Sequence, residues 1–273
     1  MNADWTERII ARLADVRAKR PVVHNITNYV VMNSTANTLL ALGASPVMAH
    51  AEEEVEEMAA IAGAVVLNIG TLSSRWIAAM FKAAGAARQR NTPVILDPVG
   101  AGATRLRTDT ARRIVAECAP SVVRGNASEI LALGGGDFRA RGVDSLHTVD
   151  QARAAATDMA RRFGLTAAVT GPEDFVTDGA RVARIGNGHP LMGRITGSGC
   201  AATVVIAAFC AVEPDAFAAA ASGLVVFGIA GELAARNAPR PGTYQVQLLD
   251  ALDEINAGHV RQMARLEVSR QPA

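Results

Sequence analysis

The chain has 273 residues, half of them hydrophobic, with 27 Lys and Arg against 26 Asp and Glu and a formal net charge of +1. That length allows a sizeable core in one domain, and the balanced charge points away from nucleic-acid or acidic-lipid surfaces and towards small-molecule partners. Cys118, Cys200 and Cys210 show no C-x-x-C spacing, which fits neither a disulfide framework nor a zinc site and agrees with a reducing compartment.

Met1 to Lys19 alternates charged with apolar residues and lacks the long apolar core of a signal peptide, so it reads as an amphipathic helix. Short β-branched runs then alternate with longer helical patterns, the sequence form of a parallel sheet covered on both faces. Strands are predicted at Pro21 to Ile26, Ala44 to Met48, Ala64 to Ile69, Pro93 to Val99, Ser121 to Arg124 and Thr166 to Thr170. Helices fill the gaps, among them Ser73 to Gln89 and Thr108 to Glu117, while the acidic run Glu52, Glu53, Glu54, Glu56 and Glu57 reads as the start and solvated face of another. After Gly171, the runs Asp174 to Thr177 and Arg181 to Ile185 flank Asp178-Gly179, which predicts a hairpin. Two apolar stretches follow, Cys200 to Val212 and Ala216 to Ala230, separated by Glu213, Pro214 and Asp215. Each is shorter than the ~20 residues of a membrane span, so both are expected to be buried helices. A last amphipathic helix is predicted from about Gln247 to Leu266, and one domain is expected over residues 1–273.

Special residues gather at the predicted C-terminal ends of strands: Asn28, Met48, Gly70, Asp97, Asn126 and Thr170. Ligands of open α/β sheets bind outside those ends, although strand ends also carry ordinary turn residues. Arg194-Ile195-Thr196-Gly197-Ser198-Gly199-Cys200 precedes an apolar helix. Its glycines allow tight turning and its helix start offers free N–H groups, which suits an anion; a plain helix cap with packing glycines is the alternative. A dinucleotide fingerprint needs a strand before it and an acid about 20 residues later, and neither is present. A Walker loop needs a lysine, and the only two, Lys19 and Lys82, follow no glycine-rich turn. Phosphate chemistry here must use amides, arginine and metal.

Asp97 ends an apolar strand before Pro98-Val99-Gly100-Ala101-Gly102, where its carboxylate is placed either to hold Mg²⁺ or to form an Asx-turn. In Arg124-Gly125-Asn126-Ala127-Ser128-Glu129, the arginine suits phosphate oxygens and Glu129 a hydrated metal, while Asn126 and Glu129 also match a capping box. His24, His50, His147, His189 and His259 show no metal-ligand spacing, and Cys118, Cys210 and Met48 read by default as core residues.

Taken together, the chain resembles the hydroxyethylthiazole kinase family, a branch of the ribokinase-like kinases. The matching segments are Val23-His24-Asn25-Ile26-Thr27-Asn28, Ala41-Leu42-Gly43-Ala44-Ser45-Pro46-Val47-Met48, Leu67-Asn68-Ile69-Gly70-Thr71-Leu72, the Asp97 and Arg124 to Glu129 segments, and Ile195 to Cys200. The resemblance implies a three-layer α/β/α fold with a mostly parallel sheet, in a cytoplasmic homotrimer with active sites at subunit boundaries. The implied reaction takes ATP and 4-methyl-5-(2-hydroxyethyl)thiazole to the thiazole phosphate and ADP, with Mg²⁺. By position, Met48 and Gly197 would contact the thiazole, with Asn28 a further candidate. Arg124 and Thr170 would bind ATP, and Asp97 and Glu129 would organise the metal. Cys200 occupies the place where most ribokinase-like enzymes carry a catalytic aspartate, and Ser198 stands where threonine is commoner. A thiol begins near a pKa of ~8.5, a helix start lowers it and phosphate charge raises it, so Cys200 is either a base or a group that orients the hydroxyl. The same resemblance leaves open a related alcohol kinase, such as one for hydroxymethylpyrimidine, a nucleotide-dependent dehydratase, or a non-catalytic nucleotide or thiazole sensor.

Overall fold

The apolar runs become strands β1 (Val22–Ile26), β2 (Ser45–Val47), β3 (Ala64–Asn68), β4 (Val94–Asp97), β5 (Val122–Asn126) and β6 (Thr166–Thr170). The computed structural model describes residues 3–134 and 145–271, and in it these strands run parallel in the order β2-β1-β3-β4-β5-β6. The hairpin strands β7 (Asp174–Thr177) and β8 (Arg181–Ile185), then β9 (Leu266–Arg270), continue the sheet antiparallel beyond β6. Asp178-Gly179 forms the expected turn, with Gly179 at φ +89°.

Side chains alternate across each strand, so consecutive residues feed two separate cores. Val23, Ala64, Val66 and Ile95 pack with α1 (Ala3–Lys19), α2 (Met32–Leu42), α8 (Ser198–Cys210), α9 (Ala216–Asn237) and α10 (Pro241–Glu254). Ile26, Val65, Leu67 and Leu96 pack with α3 (Val55–Ile61), α4 (Ser74–Gln89), α5 (Arg105–Cys118), α6 (Ala127–Leu133) and α7 (Ser145–Phe163). The architecture is therefore the three-layer α/β/α arrangement. His147 lies outside the residues whose side chains are described.

Helices α8 and α9 are the most deeply covered helices among the described residues, with every residue from Cys200 to Cys210 buried. Gly223 explains their close approach, because a Cβ there would stand 3.1 Å from the Ile206 Cα. Burial, not length, is what accounts for α9. The helix continues past Ala230 to 22 residues, long and apolar enough to cross a membrane, yet 83% of its most apolar stretch lies inside the protein.

The C-terminal expectation also needs correction. Instead of one helix to Leu266, α10 stops at Glu254, Asn256 caps α11 (Ala257–Met263), and Leu266 opens β9 against β8. Asn256 Oδ1 accepts the N–H groups of Gly258 and His259, a local bond that restarts the helix and so ends the previous one.

Charges pin the far pole of the sheet, where the strands begin. Arg8 in α1 forks onto Glu213 with two bonds of 3.0 Å. Arg181 in β8 forks onto Asp215 at 2.7 and 2.8 Å, donates to Asp178 at 2.7 Å, and lies over the Phe217 ring. Burial pushes the Asp178, Glu213 and Asp215 carboxyls up, but the arginine and backbone donors outweigh it and leave all three below their ordinary values. Their stabilisation is therefore present above the ordinary carboxylate range and is lost as pH falls through the lowered values. Arg181→Met is expected to cost roughly 1–2 kcal/mol at pH 7, since its partners are half-screened by solvent, and progressively less in acid. Thermal unfolding of both proteins across pH 3–8 checks this.

Candidate active site at the strand ends

Chain order reverses at β1, whose neighbours are β2 on one side and β3 on the other. Such a switch point opens a crevice at the carboxyl ends of the strands. Asn28 lies two residues beyond β1, Asn68 ends β3, Asp97 ends β4 and Thr170 ends β6, while Arg124 lies within β5. The start of α8 closes over this row. Gly197 makes that approach possible: its φ of +82° is the left-handed region, and a Cβ would fall 2.7 Å from Val31 Cγ1.

Asp97 has no exposed surface. Its Oδ2 accepts from Asn68 Nδ2 at 2.9 Å and from Thr203 Oγ1 at 2.9 Å. Its Oδ1 has no hydrogen-bond partner among the described residues and faces Arg124 Nη1 at 3.7 Å. Burial pushes the carboxyl up to about 6, Arg124 pulls it down, and the Glu129 charge pushes it up again. The Cys200 sulfur lies 3.1 Å from Asn68 Nδ2 and 3.8 Å from Asn28 Nδ2. Burial, then the Asp97 charge, pushes this thiol up to about 12. The helix start does not prevail over desolvation here, so of the two roles left open by the sequence, the raised thiol favours orienting a hydroxyl over acting as a thiolate base.

Arg124 and Thr170 line a cavity of about 540 Å³ together with Asn187, Ser198, Gly199 and Phe227. An Arg124 Nη2 hydrogen bond to Thr170 Oγ1 fixes the guanidinium, while Gly199 leaves room for it, since a Cβ there would stand 2.5 Å from Nη1. The cap of α8 is Gly197, which has no side-chain acceptor, and the first α8 amide bonded back is that of Ala201. The N–H groups of Ser198, Gly199 and Cys200 are left without partners among the described residues, at the positive end of a helix beside an arginine. That arrangement suits an anion such as phosphate.

Glu129 is nine-tenths buried and both of its oxygens accept backbone N–H groups, Gly100 at 2.9 Å and Asn126 at 2.8 Å. With Asn126 Oδ1 accepting from the Glu129 N–H at 2.9 Å, the capping box is complete. Among the described residues no cluster of three or more His, Cys, Asp or Glu is arranged to hold a metal alone. The unpartnered Asp97 Oδ1, with Glu129 nearby, instead fits a hard cation that keeps its waters and shares phosphate oxygens.

The structure thus brings together Asn28, Asp97 and Cys200 through Asn68, and Arg124 with Thr170, the two groups meeting at the Asp97–Arg124 pair. Gly197 sits at the mouth of α8 against α2. Met48 is not drawn in: it is half-buried just past β2, on the other side of β1, and lines none of the cavities found beside Cys200. Sequence reasoning passed over Asn68, which lay inside a matching segment without a role, and Asp174, taken only as a hairpin start. Asp174 lines the cavity, accepts the Gly171 N–H at 2.9 Å, and is raised by burial to about 6.

A sequence model of the hydroxyethylthiazole kinase family matches residues 13–258. The hydroxyethylthiazole kinase of Granulibacter bethesdensis is 54% identical over 266 residues, 97% of each chain, and that of Desulfotalea psychrophila 52% identical over 257 residues, 94% of each. The solved structure of a hydroxyethylthiazole kinase from Pyrococcus horikoshii is similar at a TM-score of 0.89 and 47% identity, covering 96% of this chain and 99% of that one. A pyridoxal kinase from Staphylococcus aureus, in complex with AMP-PCP and pyridoxal, has a TM-score of 0.61 at 15% identity, covering 92% of this chain and 99% of that one. That second likeness is one of fold.

The raised Asp97 carboxyl has a consequence for stability. A carboxyl lifted in the folded state favours folding below its ordinary value of 3.8, and that contribution is lost as pH rises through about 6. In buffer free of metal and nucleotide, Asp97→Asn should therefore stabilise the protein above pH 6, by on the order of 2–3 kcal/mol, and leave stability unchanged below about pH 4. Thermal midpoints of both proteins over that range decide it; a gain independent of pH would mean the buried charge is not its source.

Proposed function

The chain belongs to the hydroxyethylthiazole kinase family, and from that premise we propose that it moves the γ-phosphoryl group of ATP onto the primary alcohol of 4-methyl-5-(2-hydroxyethyl)thiazole in thiamine salvage. The observation that carries the residue assignment is the open start of α8, whose third residue, Cys200, is joined to Asp97 by one asparagine. An anion site and a buried carboxylate flank the same thiol. A phosphoryl acceptor hydroxyl belongs between them.

Arg124, steadied by Thr170, neutralises phosphate oxygens of ATP in the 540 Å³ cavity. The free N–H groups of Ser198, Gly199 and Cys200 point at the group in transfer and stabilise charge that grows there. Phosphoryl transfer passes through a loose transition state that makes little demand on the nucleophile, so a strong base is unnecessary: the P–O bond to ADP breaks as the alcohol oxygen bonds to phosphorus, and the hydroxyl proton passes to a phosphoryl oxygen or to water. A neutral Cys200 thiol then orients the alcohol oxygen for in-line attack. Mg²⁺, when bound, supplies charge neutralisation between phosphate oxygens, with Asp97 and, through water, Glu129 as the residues that would hold it.

Gly197 and Asn28 border the thiazole side, with Met48 contributing at a subunit boundary. Tyr29 and Val30, 66% and 63% exposed beside Asn28, together with Leu40 at 55%, offer apolar surface for a neighbouring copy and support a homotrimer. The chain acts as one kinase domain, and its three free buried cysteines agree with a cytoplasmic setting.

The direct test is ATP consumption with the hydroxyethylthiazole and a hydroxymethylpyrimidine side by side, with mass detection of the product. Phosphorylation of the thiazole alcohol is expected, and ligand binding without ADP formation would leave a sensor instead. Cys200→Ala should lower kcat about ten-fold or more while the ATP KM stays within about two-fold; an unchanged kcat removes Cys200 from the reaction. Arg124→Ala should raise the ATP KM about ten-fold or more, and an effect confined to the thiazole KM would contradict its place on the phosphates.

A further inference from the structure

Every hydrogen-bonding position on the Asn68 side chain is used. Nδ2 donates to Asp97 Oδ2 at 2.9 Å and to Cys200 Sγ at 3.1 Å, while Oδ1 accepts from Asn28 Nδ2 at 2.8 Å and from the Gly70 N–H at 3.0 Å. A primary amide has two donor hydrogens and two acceptor lone pairs, so nothing is left over. The partners also fix its sense. Turned over, its oxygen would face the Asp97 carboxylate and its hydrogens would face two other donors. The residue is 2% exposed and ends β3 directly opposite Asp97 in the sheet register, so the backbone holds what the side chain orients.

This saturation governs the sulfur. Because Sγ accepts from Asn68, the thiol hydrogen is directed away from the amide, towards the neighbouring Asp97 carboxylate or an oxygen that arrives beside it. The carboxylate does not depend on Asn68 to the same degree, since Thr203 Oγ1 donates to the same Asp97 oxygen at 2.9 Å. Cys200 has no such duplicate: without Asn68 its remaining donor is Asn28 Nδ2, at 3.8 Å. Loss of the amide therefore falls on the thiol first.

We propose that Asn68 is a positioning residue for the phosphoryl transfer, setting where the Cys200 sulfur sits and which way its hydrogen points at the substrate hydroxyl. The inference rests on the assignment of Cys200 to the hydroxyl given above. It does not make Asn68 a catalytic residue, because the amide is fully occupied by protein partners and has no group left for a ligand.

A double-mutant cycle tests it, with Asn68→Leu and Cys200→Ala made singly and together in the full-length enzyme and assayed with ATP and the thiazole alcohol. Asn68→Leu is expected to lower kcat about ten-fold with the ATP KM within about two-fold, and to cost less than about two-fold once Cys200 is alanine. An equal loss in both backgrounds, an unchanged kcat, or a rise in the ATP KM alone would overturn the inference. Should Cys200→Ala alone leave kcat intact, the Cys200 assignment fails and this inference with it. A slow Cys200→Ala enzyme beside a normal Asn68→Leu enzyme condemns only the inference. Asn68→Ser, shorter and still polar, serves as the second variant, and a failure of both to fold would assign the residue to the core and end the proposal. Infrared spectroscopy gives a readout apart from turnover: the S–H stretch that disappears in Cys200→Ala should shift in either Asn68 variant, and an unmoved band overturns the role.

Discussion

A carboxylate with no contact with water has to be held by its neighbours, and Asp97 imposes that requirement on the whole strand-end region. Water would solvate it at no structural cost; the protein supplies Asn68, Thr203 and the nearby Arg124 guanidinium instead. Each comes from a different element, β3, α8 and β5, so the sheet register and the seating of α8 must both be correct before the charge is tolerated. The compensation is incomplete, because one carboxylate oxygen stays unpartnered. Incomplete pairing at this position is what the proposed cation site would call for, at a local cost in stability.

Much of this was legible in the chain itself, and what was not has definite physical reasons. The β-branched strands between amphipathic helices announced themselves because a parallel strand buried on both faces is a continuous apolar run, as in Ala64–Asn68, where every residue is buried. Strand β9 gave no such signal: Leu266 is its single buried residue, and an edge strand beside a hairpin owes its existence to β8 more than to its own composition. The strand-end rule singled out Asn28, Asp97 and Thr170, and the Arg124 to Glu129 segment added Arg124; these four do lie in one region. It had nothing to say about Asn68, whose importance comes from four partners, of which only Gly70 is local while those at positions 28, 97 and 200 are distant in sequence. Met48 shows the opposite case, a strand-end residue that one copy of the chain does not bring to the thiol.

Cys200 illustrates why local chemistry and buried chemistry can disagree. A helix start beside arginine argues for an acidic thiol, and sequence reveals both features. Depth is invisible in sequence, and at 8% exposure, with a carboxylate close by, depth prevails. Under the proposed reaction, charge stabilisation falls to backbone amides and one arginine, and the side chain assigned to the substrate hydroxyl is left neutral. Preorganised dipoles of this kind need no rearrangement when charge moves during the reaction. Glu129 belongs to the same economy of means: by accepting from Gly100 and Asn126 it braces the turn after β4 and the start of α6 at once.

Helix α8 joins the two poles of the molecule. Its 13 residues make a rod about 20 Å long, with the unpaired amides at one end and, just past the other, the Glu213–Arg8 and Asp215–Arg181 clamps. Such a strut cannot shorten or slide without moving its tip. A residue gained or lost in the bend around Pro214 would leave every group of the site chemically intact and carry the anion cradle out of line with Arg124 and Asp97. Drift among descendants of this chain should therefore accumulate in side chains along the strut's base sooner than in its length, since alignment here is a matter of measured distance between two anchorages.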